Sequence, residues 1–132
     1  MIEMISLIAS IAASLFSMAL HVKGLGNEKK KDLSTFFTEI ADTLDEAIVK
    51  FKADEVPHGA CARMRHYAFE LPKILDGVVD KEVAHRYSYD LERAHQIETL
   101  LIELHHDPTA MKKLEIAAGN FRAIGTVFKV KN

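Results

Sequence analysis

Between Met4 and Val22 the chain carries no Asp, Glu, Lys or Arg, and this charge-free run constrains the fold more than any other feature of the sequence. As an α-helix it would measure roughly 29 Å, close to the ~30 Å hydrocarbon core of a bilayer. It is not uniformly apolar, however. Glu3, Ser6, Ser10, Ser14, Ser17 and His21 recur at helical spacing and fall on one narrow stripe, while Ile, Leu, Met, Phe and Ala fill the rest of the circumference. Three readings compete for Met1 to Val22. In one it is the buried central helix of a bundle, supplying the apolar partner that the amphipathic helices after it need. In another it enters a bilayer, where small residues suit close helix contact and Ile2, Ile5, Ile8, Leu15, Phe16 and Leu20 form the lipid-facing surface. A signal peptide is disfavoured by Glu3, which stands where a positive n-region belongs, although Ser17-Met18-Ala19 resembles a cleavage site.

The 132 residues suit one domain with its own core. The single Cys61 cannot form an internal disulfide and fits a reducing compartment, so the cytoplasm or the cytoplasmic face of a membrane is expected. With 17 basic and 19 acidic residues the formal charge is −2, which provides no global field for nucleic acid. Three Pro and six Gly among strings of Ala, Leu, Glu and Lys favour an all-α architecture.

Along the chain, Lys23-Gly24 closes the first helix, with a glycine where a left-handed residue is wanted. Lys29-Lys30-Lys31 is the one concentrated charge, a solvated loop and helix start or an attraction to anionic lipid. A second helix spans about Asp32 to Ala53, with Leu33, Phe36, Phe37, Ile40, Leu44, Ala47, Ile48 and Phe51 on one face and a surface Glu46–Lys50 pair on the other. Val56-Pro57 breaks the chain. The third helix then runs to about Asp76, with Pro72 expected to kink or split it and Phe69 opposite its apolar stripe. Gly77 and Asp80 read as a helix stop and the next N-cap. The fourth helix covers about Lys81 to His106 and the fifth runs from Asp107-Pro108 to about Val130. The fifth carries Ala110, Leu114, Ala117, Ala118, Phe121, Ile124, Gly125 and Phe128 on one face and has a second apolar edge, Ile116, Ala123 and Val127, that with Phe69 makes a candidate partner surface.

Any chemistry would have to sit on the fourth helix, where Asp90, Glu98 and His105 fall inside or at the edge of the buried arc. Buried carboxylates need partners, and Arg63, Arg65 and Arg122 are the candidate cations for a structural ion pair. Three Glu-x-x-His pairs (Glu82/His85, Glu92/His95, Glu103/His106) share this one helix, whereas carboxylate-bridged di-iron sites draw ligands from four helices. No metal or cofactor is therefore expected. His58 lies one turn before Cys61 without a third group to orient it, and no phosphate loop or nucleophile elbow occurs.

These features add up to one all-α domain, an antiparallel four- to five-helix bundle with a hydrophobic N-terminal helix. A nearly uncharged first helix followed by amphipathic helices resembles the HeLo-like domains of cell-death and defence proteins. That resemblance is one of arrangement and implies membrane perturbation by a non-enzymatic bundle. The alternatives are an adaptor or homo-oligomerisation module with the first helix as core, and third a metal-binding bundle. The expected partners are membrane lipid or partner helices.

Overall fold

A computed structural model describes residues 4–94, 100, 103–104 and 107–130. The charge-free run folds as α1, Met4–His21, followed by α2, Asn27–Lys52, α3, His58–Ile74, α4, Lys81–Ala94, and α5, Ala110–Val130. Leu100, Glu103 and Leu104 are helical as well, and no strand occurs among the described residues. The all-α bundle read from the sequence is thus the architecture observed.

The chain stops and starts helices by local chemistry. Gly24 and Gly77 adopt left-handed backbone at φ 79° and 81°, the conformation in which a side chain at Cβ is costly. Helix α2 begins five residues earlier than the sequence suggested. Gly26 occupies its N-cap without a side-chain bond, the Lys30 N–H reaches the Gly26 carbonyl at 3.0 Å, and Lys29-Lys30-Lys31 become part of the helix. Ahead of α5, Asp107 accepts the Thr109 backbone N–H at 2.9 Å and its hydroxyl at 2.7 Å. These bonds, with Lys113 at 3.3 Å, hold the Asp107 carboxyl below its ordinary pKa. They stabilise the fold above the usual aspartate range, and that contribution is lost as pH falls through the depressed value.

Pro72 neither splits nor ends α3, which continues to Ile74. Proline lacks the N–H that would bond the carbonyl four residues earlier. That carbonyl, on Ala68, instead accepts the Ser88 hydroxyl of α4 at 2.6 Å. The helix keeps its course because a neighbour satisfies the group that Pro72 frees.

The helices close into a ring in the spatial order α1, α5, α2, α3, α4 and back to α1. Helix α5 is inserted between α1 and α2, so the first two helices are consecutive in sequence without packing side by side. It runs antiparallel to α2, with Lys52–Glu115 at one end at 3.1 Å and Ser34 donating to the Gly125 carbonyl near the other at 2.8 Å. It runs parallel to α1, with Lys113 donating to Ser6 at 3.2 Å and Val127 and Phe128 beside Ala19 and Val22. Gly125 permits the α2 approach: a Cβ there would lie 3.1 Å from the Ser34 carbonyl oxygen and collide with the Thr38 hydroxyl. Between the helices, Phe37 stacks on Phe121 at 6.3 Å while Phe36 meets Phe37 and Tyr67 edge-on at 5.3 and 5.7 Å, geometries favoured by the ring quadrupole.

Candidate functional site

The apolar surface assigned to lipid from the sequence is, in this fold, protein core. Ile5, Ile8 and Leu15 are fully buried together with Ile11, Ala12 and Ala19. Phe16 is half-buried against the same core, Leu20 is 41 % exposed, and Ile2 lies outside the described residues. The reason is the ring itself, since α4 and α5 flank α1 and take up its apolar arc. Its serine stripe is left outward, with Ser10, Ser14 and Ser17 exposed. Near its first turn the Glu103 carboxylate accepts the Ile5 N–H at 3.2 and 3.4 Å. No helix among the described residues is long and apolar enough to cross a membrane.

The partner-surface candidates divide. Phe69 is 77 % exposed and Ile116 51 % exposed. Ala123 and Val127 are only half-buried positions, and Val127 packs on the core because α5 sits against α1 along that edge. These two are corrected from open surface to the rim of a helix seam.

Of the candidate polar core, Glu98 and His105 lie outside the described residues. Asp90 is half-buried, and its ionic partner is Arg93 on the same helix at 3.5 Å, not a cation from another helix. Arg93 also lies over the Tyr89 ring at 5.5 Å. The cations expected to serve Asp90 are used elsewhere: Arg63 pairs with Glu46 of α2, and Arg122 bridges Asp42 and Asp45 at 2.9 and 2.7 Å. Those bonds raise the Arg122 pKa further. The expected Glu46–Lys50 pair gives way accordingly, and Lys50 lies 3.7 Å from Glu55. Arg63 and Arg122 find their partners across a helix seam, whereas Asp90 and Lys50 pair within or just beyond their own helix.

Cys61 is buried and unpaired. Desolvation pushes its thiol pKa up, against a smaller lowering by Arg65, so it is a poor nucleophile at neutral pH. His58 is exposed. Among the described residues no three His, Cys, Asp or Glu side chains gather where they could hold a metal ion.

What the fold does assemble is one end of the bundle, where the α1–α2 loop, the start of α2 and the end of α5 meet. Two grooves adjoin there. One, of about 570 Å³, is lined by Lys30, Lys31, Ser34, Thr38, Glu39 and Lys129 among others. The second, about 270 Å³, is lined by Lys23, Lys30 and the apolar Val22, Leu25, Val127 and Phe128. Sequence reasoning found Lys29 to Lys31 but not their companions. Lys23 and Lys129 lie on segments over a hundred residues apart, and only the insertion of α5 beside α1 joins them. No family model, curated protein or solved structure matches the chain.

Proposed function

We propose that this chain is a non-enzymatic helical bundle that works at membranes, associating while folded and using α1 as the element that exchanges protein core for lipid afterwards. The observation supporting this is the chemistry of α1. Its buried side is aliphatic, its outward side is serine, and it carries no formal charge from Met4 to Leu20, so its entry into lipid buries no charged group of its own. The arrangement-level resemblance to HeLo-like domains points the same way. Ser14 offers a clean test because it is exposed and mid-helix. Ser14→Asp should leave the melting temperature nearly unchanged, yet cost about 3 kcal/mol at the bilayer centre. Dye release from liposomes by the wild type, abolished in folded Ser14→Asp, is the expected result; wild type that neither binds nor permeabilises vesicles rejects the proposal.

The second reading, a homo-oligomer or adaptor, is favoured by the exposure of Phe69 and Ile116. Contact with a second copy or a partner helix would cover these two large apolar groups. On this reading Phe69→Glu and Ile116→Glu should convert an oligomer to monomer in sedimentation equilibrium, with unchanged thermal unfolding. A wild type that sediments as a monomer at high concentration removes the oligomer form of the reading.

A further inference from the structure

The lysines at the start of α2 break a local rule. A helix N-terminus carries partial positive charge and is stabilised by acidic side chains, yet Lys29, Lys30 and Lys31 follow directly on Asn27 and Glu28 there. Lys23 and Lys129 then add to the same end through the two grooves. The protein does not neutralise them. At the opposite end of the same two helices Lys50, Lys52 and Lys113 pair with Glu55, Glu115 and Asp107. Among the described residues no side chain of Lys23, Lys30, Lys31 or Lys129 takes part in an ion pair or hydrogen bond. The first groove sets three lysines against one carboxylate, Glu39, and the second sets two lysines against none. Glu28 and Asp32 are the other acidic groups on the first turns of α2. Sequences tolerate such a conflict between charge and helix dipole where function requires it.

The geometry points to this lysine-rimmed end as the surface by which the folded bundle docks on an anionic lipid bilayer. The proposal rests on the membrane reading above and specifies its landing face and headgroup chemistry. Charge complementarity selects an anionic partner, and the apolar component selects lipid. Between Gly24 and Gly26 the loop presents Leu25, half-buried beside Phe128, and Leu20 stands exposed on the last turn of α1. A nucleic-acid backbone would leave these apolar groups unused, while Glu28, Asp32 and Glu39 oppose either anion equally. A bilayer offers phosphates and acyl chains in the same plane. Five lysines reach the cluster size associated with anionic lipid binding, each strengthening it about fivefold. Docking by this end also brings the carboxyl end of α1 to the lipid first.

The test is co-sedimentation of the full chain with vesicles of phosphatidylcholine alone or containing one-third phosphatidylserine, at physiological and high salt. Wild type should bind only the anionic vesicles and dissociate at high salt. The triple variant Lys23→Gln/Lys30→Gln/Lys31→Gln should bind about a hundredfold more weakly. Its thermal stability should equal or exceed that of wild type, because repulsion at the α2 terminus is relieved. Leu25→Ser should weaken binding to the same vesicles, and Lys50→Gln/Lys52→Gln, at the far end, should not. If wild type binds anionic vesicles and the triple variant binds them equally well, this face is overturned and the membrane reading stands. If wild type binds no vesicle, both fall. Binding to a DNA oligonucleotide or inorganic phosphate but not to vesicles assigns the lysines to a different anion and overturns the lipid surface.

Discussion

Phe121→Ala is expected to destabilise the protein by about 3–5 kcal/mol, lowering the melting temperature by roughly 12–20 °C at about 4 °C per kcal/mol for a chain of this size. Phe121 is fully buried, as is the Phe37 ring on which it stacks with planes 9° apart. The cost should sit at the upper end of the usual range because the site cannot collapse. Helices α2 and α5 already meet at the Gly125–Ser34 contact, and Arg122 with Asp42 and Asp45 fixes the same seam from outside. With both sides pinned, removing the ring leaves a cavity rather than a readjusted core. The exposed ion pairs themselves are expected to add at most about 1 kcal/mol each, so aromatic packing, not charge, holds the seam. Denaturant unfolding measures the difference. A loss below about 1 kcal/mol would show that the core repacks and that α5 is not clamped.

The same seam shows what the sequence could and could not disclose. Helical spacing placed Leu114, Ala117, Ala118, Phe121, Ile124 and Phe128 on one buried arc of α5, and all are buried. Period and burial are linked by geometry within one helix, so this information is local. The same spacing put Gly125 on that arc, where it is buried, and left Gly119 off it, where it is exposed; how close the neighbour comes is a different matter, since a Cβ at Gly119 meets nothing within 4 Å and one at Gly125 meets the backbone of α2. The difference arises from the neighbour. Charge partners fail for the same reason: Glu46 pairs with Arg63 and Arg122 with Asp42 and Asp45, each on another helix, so these partners depend on which helices are adjacent. Pro72 was legible as a helix breaker, but the Ser88 hydroxyl that rescues the Ala68 carbonyl lies on another helix. Three of the five lysines at the rimmed end were visible as the run Lys29-Lys30-Lys31. Its completion by Lys23 and Lys129 required knowing that α5 inserts between α1 and α2.

Deleting residues 1–22 is expected to leave a chain with no cooperative thermal transition. Ile5, Ile8, Ile11 and Leu15 are each 3 % exposed or less, and burying such side chains contributes about 1.5–3 kcal/mol apiece, hence roughly 6–12 kcal/mol as an upper estimate for the four. Whole domains are stable by only about 5–15 kcal/mol. Helices α4 and α5 would also lose the element that closes the ring between them, opening the common core to water. Residual helical circular dichroism, strong dye binding and a broad melt are the expected signature. A sharp melt near that of the full chain would instead show that four helices close without α1, making α1 a detachable arm. The distinction bears on mechanism, because a helix whose departure in water costs as much as the fold itself cannot leave spontaneously. Lipid must take over the contacts as α4 and α5 give them up, so on the proposed reading association with the bilayer has to precede release. Mixing full-length protein with anionic vesicles and following Cys61 tests this order. Its buried thiol should resist alkylation in solution and become reactive only after the protein has bound, whereas reactivity that appears equally without vesicles would place opening of the bundle before docking.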